Sequence, residues 1–477
     1  MNQNKEKVVS AFSWKFIERL SVQGASFIVT LLLARLLTPE DYGMVALITV
    51  FVSLANTFVQ GGFNTALIQK KDATGNDFFS VMLFSLGVAG VLYFILFLTA
   101  PGLETFYGMP SFAKIIRVMA LMMIPAAVNS VQIAFVTKDL RFKVLSASSL
   151  ISTVAAAMIG IAMAYRGFGP WALVAQQLSA QIFSCISIFL LTHWWPKGEF
   201  SMMSIKELIP FGSRILGSNL LVTLFLNLRS VIIGRMYSSE DLGFFNRGKQ
   251  FPQAIMESIN GTIQSVLLPV YANEQDDRHK ILKMVRMSIQ ISSYLIFPMM
   301  VGLACVATPL VEILLTEKWL PCVPFLQMFA FSYMCQPAQL STAQAYKAIG
   351  DSVTPLRLEF ARKAAEIIFL VISLRHGTVA IAFSSVLAGV TALVMAFVPN
   401  IKILQYSIKE QITDLLPALL MSCTMAVAVL MIGRLSLPNL VLIAIQVIVG
   451  ILVYLCLSVM IRPGAFIFLM KMLKHRK

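Results

Sequence analysis

The chain has 477 residues, 58% of them hydrophobic and only 13% charged, and it carries a formal net charge of +15. A soluble globular chain has about a quarter of its residues charged, whereas apolar runs of about 20 residues, enough to cross about 30 Å of hydrocarbon, recur along this one. That pattern excludes a soluble domain, and with it an ATP-driven pump carrying its own nucleotide-binding domain. Nucleic acid is also set aside as a partner, because membrane proteins concentrate Lys and Arg in cytoplasmic loops.

Taken in order, the apolar runs predict helices at 12–34, 41–67, 78–100, 114–136, 143–165 and 170–192. A polar linker, HWWPKGEFSMMSIKE, follows at 193–207. A second set is predicted at 208–234, 241–271, 287–315, 322–346, 356–375 and 378–400. After the linker IKILQYSIKE come two more, at 411–433 and 438–461. The expected fold is therefore an all-α integral membrane protein of about 14 transmembrane helices, arranged as six, six and two. The corresponding domains are an N-terminal lobe at 1–192, a cytoplasmic linker at 193–207, a C-terminal lobe at 208–400, and two extra helices with a basic tail at 401–477. The N-terminus, MNQNKEKVVSAFSWK, has no cleavable signal pattern, so the first helix is expected to remain in the mature protein.

An internal repeat supports the two lobes. Residues 33–43 read LARLLTPEDYG and residues 233–243 read IGRMYSSEDLG. Arg35, Glu40, Asp41 and Gly43 recur as Arg235, Glu240, Asp241 and Gly243, and the same offset pairs Phe51 with Phe251 and Gly61 with Gly261. Each copy lies between two apolar runs, which predicts a tight polar turn with the Gly at a turn or cap position. An even number of spans per repeat inserts both halves the same way up, related by a pseudo-two-fold axis along the membrane normal.

Charge sets the orientation. With the N-terminus inside, the cytoplasmic segments hold Lys70, Lys71, Lys138, Arg141, Lys197, Lys206, Arg278, Lys280, Lys283 and Arg286 among others. The opposite loops hold only Arg35, Lys114, Arg166, Arg235, Lys318, Arg375 and Arg434. The asymmetry is about threefold and places both termini in the cytoplasm.

Several chemistries find no support. The six cysteines form no CxxC pair, and the four histidines are scattered, so no metal site and no cofactor is expected. The run Gly243–Gln250, GFFNRGKQ, nearly fits a phosphate-binding loop, but it ends in Gln and opens a membrane helix. No nucleophile–base set or carboxylate pair gathers in one outer loop, so no catalytic residues are expected and the chain is not read as an enzyme.

The informative residues are charges inside spans, which are costly in lipid and face a cavity or a partner. Glu359, Arg362, Lys363 and Glu366 are spaced to pair along one helix face, a structural role. Lys15, Glu18 and Arg19 lie close enough to one end to snorkel, and Arg214 also lies near that end. Arg229, Arg247 and Lys249 are deeper. They suit an anion-attracting cavity, with Glu257 the acid that would otherwise satisfy an arginine there. Glu18 and Glu257 are the candidates for an ion pair or a coupling role. Gln23, Asn56, Gln60, Asn64, Asn219, Asn227 and Asn260 offer hydrogen bonds to sugar hydroxyls or, structurally, between helices.

The runs LLLARLLTPEDYGMVAL, AFVTKDLRF, GFGPWALVAQQ, IIGRMYSSEDLGFFNRGKQFP and LTEKWLPCVPFLQMF resemble the bacterial polysaccharide flippases. These are the Wzx-type exporters of O-antigen and colanic-acid units in the multidrug/oligosaccharidyl-lipid/polysaccharide (MOP) superfamily. The likeness covers roughly residues 10–400. It implies two six-helix lobes in a V-shape, as in MATE transporters. It also implies export of undecaprenyl-pyrophosphate-linked oligosaccharide across the bacterial inner membrane by alternating access, beside membrane lipids and polysaccharide polymerase machinery. The substrate-binding set would then be Arg229, Arg247, Lys249, Arg214, Arg19 and Lys15. One departure is Arg229 in NLRSVIIGR, where the family pattern has an acid. A MATE-like drug antiporter is the alternative, although a cationic drug would favour buried acids. A membrane polymerase or ligase is a further one.

Overall fold

The computed structural model describes residues 24–274, 277–351 and 353–474. Among these the regular structure is helical throughout. Ten helices or helix pairs are long and apolar enough to cross a membrane, and the chain is a multi-pass membrane protein. Packing divides it into two units, the first ending at Gly243 and the second beginning at Phe244.

The first unit contains α1 (Gly24–Leu36), α2 (Pro39–Gln60), α3 (Phe63–Gln69), α4 (Gly75–Tyr107), α5 (Phe112–Ala120), α6 (Met123–Lys138), α7 (Phe142–Tyr165), α8 (Pro170–Thr192) and α9 (Met202–Met236). The span predicted at 41–67 is broken. Gly61 and Gly62 have φ of 53° and 72°, a left-handed pair that ends α2 and starts α3 in a new direction. The core of this unit gathers Phe63, Leu67, Phe78, Val81, Val131, Ile205 and Leu208 from α3, α4, α6 and α9.

The polar linker is fastened down. Trp194 stacks on Phe135 at 3.9 Å and meets Phe78 edge-on at 5.5 Å. The amide of Glu199 donates to Asn76 Oδ1 at 3.0 Å, and that of Ser201 to Ser80 Oγ at 2.8 Å. These bonds deliver α9 to the first unit, where Glu207 meets Lys70 at 2.8 Å. Packing divides the chain after Gly243, in the first turn of the next helix.

Each copy of the repeated motif holds the expected short turn, a two-residue break between helices at 37–38 and at 237–238. In the first copy Thr38 caps α2 by accepting from the Asp41 amide at 3.2 Å, while the Thr38 amide donates to Asp41 Oδ2 at 3.0 Å. Ser238 and Asp241 repeat this arrangement, at 3.0 and 3.3 Å. Gly43 and Gly243 then fall inside the helices that follow, which corrects the expectation of a turn or cap glycine. Their reason is close approach. A Cβ on Gly43 would lie 1.6 Å from the carbonyl oxygen of Ser239, and one on Gly243 would lie 2.1 Å from that of Pro39. The two copies meet reciprocally, each glycine against the other copy's first helical residue.

The next helix, α10 (Ser239–Ala272), leads into the second unit. There follow α11 (Arg278–Cys305), α12 (Ala307–Leu315), a 3₁₀ turn at Glu317–Cys322, α13 (Val323–Met334), α14 (Gln336–Ala348), α15 (Val353–Ser373), α16 (Thr378–Ile403), α17 (Ile408–Ile432), α18 (Asn439–Ile461) and α19 (Gly464–Lys474). One core cluster joins Met256, Tyr294, Phe297, Met300, Met421, Met425 and Tyr454. α10, the α13–α14 pair and α15 are not among the ten apolar spans: charges interrupt α10 and α15, and α14 is polar, with Gln336, Gln339 and Gln344 along it. The expected pairing on α15 is present: Arg362 bonds Glu359 at 2.5 Å and Lys363 bonds Glu366 at 2.9 Å, each three residues apart.

Candidate functional site

Lys15, Glu18, Arg19 and Gln23 lie outside the described residues. The other cationic candidates divide between the two units. Arg214 and Arg229 both belong to α9, Arg214 exposed and Arg229 half-buried. Fifteen residues separate them, about 22 Å along a helix, so the fold places them on one element without bringing them together. Around Arg229 the helix is polar: Ser230 is buried, and Asn227 donates to the Thr223 carbonyl at 2.8 Å.

Arg247 and Lys249 belong to α10. Arg247 is only 4% exposed. Its guanidinium lies 5.2 Å from the ring of the fully buried Trp319, and Nη1 donates to Gln250 Oε1 at 2.6 Å. Trp319 is itself held edge-on by Phe244 at 6.0 Å. The aromatic face stabilises the charge inside the protein, by an amount on the order of 1–2 kcal/mol once desolvated. Lys249 is half-buried. Two residues along a helix turn it about 200° away from Arg247, so the two project from different faces.

Glu257 is exposed and accepts from Gln253 Nε2 at 2.6 Å. Ten residues along α10 place it about 15 Å from Arg247. Gln250 and Trp319 are the neighbours that the structure places against the Arg247 guanidinium. Of the polar residues inside spans, Asn260 bonds Gln336 at 3.2 Å across helices, which is a packing role.

Two charged clusters went unassigned in the sequence. In the second unit, Asp414 on α17 accepts from Arg286 Nε at 2.8 Å, Arg286 Nη2 at 3.1 Å, Gln290 Nε2 at 2.7 Å and the Tyr406 hydroxyl at 2.6 Å. Arg286 Nη1 also donates to Glu410 at 2.6 Å. Burial, and then the bond to Asp414, push the Tyr406 hydroxyl far above its ordinary range. The signal was the row Tyr406, Glu410 and Asp414, each four residues from the last, which puts one hydroxyl and two acids on one side of a helix start. In the first unit, Lys70 bonds Asp77 at 3.0 Å as well as Glu207. Burial pulls its ammonium down, but the two acids outweigh that and hold it above the ordinary lysine value. Both clusters tie helices together.

The arrangement offers cationic side chains on the apolar span α9 and on α10. Among the described residues no group of three His, Cys, Asp or Glu side chains is placed to hold a metal ion. The chain is 25% identical over 329 residues to the succinoglycan biosynthesis transport protein ExoT of Rhizobium meliloti (strain 1021), covering 69% of this chain and 67% of that protein. It is 24% identical over 342 residues to the teichuronic acid biosynthesis protein TuaB of Bacillus subtilis (strain 168), covering 68% of each. Its fold matches that of the lipid II flippase MurJ in an inward closed conformation with a TM-score of 0.73, at 15% identity, over 95% of this chain and 99% of that one. The model of a family described as polysaccharide biosynthesis protein matches residues 32–324, more than half of the chain, which belongs to that family.

Proposed function

We propose that this protein carries an undecaprenyl-pyrophosphate-linked oligosaccharide across the bacterial inner membrane by alternating access, for assembly of a surface polysaccharide. The observation that carries this reading is the presence of Arg229, half-buried in the apolar span α9, and of Arg247, buried on α10, in a chain from a polysaccharide biosynthesis family. A pyrophosphate cannot cross hydrocarbon unaided, and arginine offers it planar, bidentate, charge-assisted bonds. In this reading about 14 spans form two six-helix lobes, 1–192 and 208–400, in a V-shape around a cavity. Arg229, Arg247 and Lys249 serve the pyrophosphate there, with Lys15, Arg19 and Arg214 nearer the cytoplasmic mouth. Both termini and the 193–207 linker are cytoplasmic, 401–477 adds two helices and a tail, and polysaccharide polymerase machinery receives the product. The names of the relatives, which concern succinoglycan transport, teichuronic acid and lipid II flipping, support the substrate class.

The test measures export of the polysaccharide and abundance of the protein together. Losing one charge-assisted contact costs about 1.5–3 kcal/mol, so Arg229→Ala and Arg247→Ala should each cut export about 10- to 100-fold. Arg247→Lys keeps the charge without the fork and should cost less than Arg247→Ala. Normal export at normal abundance for either alanine variant removes that arginine from the site.

The orientation has its own check. Single cysteines introduced at 40 and 240 should react with an impermeant reagent added outside. Reaction from inside only would invert the topology.

A further inference from the structure

At one end of α11 lies a feature that the transport reading does not use. His279, Lys283, Arg286 and Gln290 are spaced four, three and four apart, so they form one stripe over the first turns of the helix. With Leu282 and Met287 they line a recess of about 240 Å³. Its inner wall is fixed. Arg286 is committed to Asp414 and Glu410, and Gln290 to Asp414. His279 and Lys283, by contrast, are exposed, and Lys283 forms no ion pair among the described residues. The described acids nearby are already engaged: Asp277 caps the helix by accepting from the Lys280 amide at 3.0 Å, and Glu274 pairs with Lys280 at 3.0 Å.

A second, independent feature starts beside the same wall. Gly464, the first residue of α19, packs so closely on Gln290 that a Cβ there would lie 2.7 Å from its Oε1. α19 is two-sided. Ala465, Phe466 and Leu469 pack into the second unit's core, while Ile467, Phe468 and Met470 are exposed beside Lys471. An amphipathic helix with apolar residues outside and lysine at its rim lies in the membrane interface and favours anionic lipid. Here it follows directly on the membrane span α18.

We propose that the foot of α11 and the start of α19 form a binding site for the headgroup of an anionic phospholipid. The lipid phosphate sits at His279 and Lys283, with its acyl chains along Ile467 and Phe468. The site needs only that α11 and α18 span a bilayer, and it stands or falls apart from any transported substrate. Binding is read as the rise in melting temperature of the purified full-length protein in detergent when phosphatidylglycerol is added, against phosphatidylcholine and against inorganic phosphate.

Phosphatidylglycerol should raise the melting temperature, and the other two should do so by less than half as much. The double variant His279→Gln with Lys283→Gln should lose at least half of that rise. Lys283→Arg should keep it, and so should Lys280→Gln, which removes a cation off the stripe. An equal rise with phosphatidylcholine or with phosphate overturns the proposal, as does a full rise in the double variant. Should the double variant fail to fold, the comparison of the three additives on the unaltered protein still decides.

Discussion

Replacing Gly43 with alanine should lower the melting temperature of the purified protein sharply and reduce its abundance in the membrane. The added methyl would lie 1.6 Å from the Ser239 carbonyl oxygen. That atom belongs to the backbone of a capped helix start and cannot rotate aside as a side chain would. Overpacking a close-packed contact costs about 1–3 kcal/mol, and the absence of a flexible neighbour places this one at the upper end. Gly243→Ala meets the Pro39 oxygen at 2.1 Å and should behave alike. Gly102→Ala, where a Cβ meets nothing within 4 Å, is the control and should melt like the parent. Parent-like melting of the Gly43 and Gly243 variants would show that the reciprocal contact does not exist in the folded protein.

The second large effect concerns Asp414. It accepts four hydrogen bonds, two of them from Arg286, and its side chain is 4% exposed. Asp414→Ala leaves the Arg286 guanidinium with Glu410 alone, and leaves Gln290 and Tyr406 without their acceptor. Removing one partner of a fully buried ion pair costs about 3–5 kcal/mol because a charge is stranded; the Arg286 side chain is 31% exposed and keeps Glu410, which puts the loss here at or below the lower end of that range. Thermal unfolding should show that loss. Arg286→Met combined with Asp414→Leu should recover most of it, since no charge remains to be desolvated. A double variant as unstable as Asp414→Ala would mean that the loss comes from Gln290 and Tyr406 instead.

Local spacing carried the parts of this fold that depend on near neighbours. The ion pairs of α15 were legible because three residues along a helix bring two side chains to one face. The repeated motif was legible as a repeat, but not its contact: Gly43 and Ser239 are almost 200 residues apart, and only tertiary packing brings one helix start onto the other. The anchoring of the polar linker was not legible either, because Trp194, Asn76 and Ser80 hold it through partners far apart in sequence. The Trp319 ring beside Arg247 was not legible, because it comes from 72 residues further along the chain. The Arg286–Asp414 pair shared that obstacle.

The reciprocal contact between the two motif copies also bears on how a duplicated chain diverges. Two identical surfaces meeting about a two-fold axis are the arrangement of a homodimer, in which any substitution enters the interface twice. Within one chain each copy can differ from the other, and these do: Pro39 stands against Ser239, and Tyr42 against Leu242. Yet Gly43 and Gly243 are the same, and the caps keep a hydroxyl and an aspartate in both. The difference lies in which atoms touch. Where the surfaces meet through backbone oxygens, the side chains at those positions are free to drift, and symmetry is held by the one residue whose side chain must stay absent.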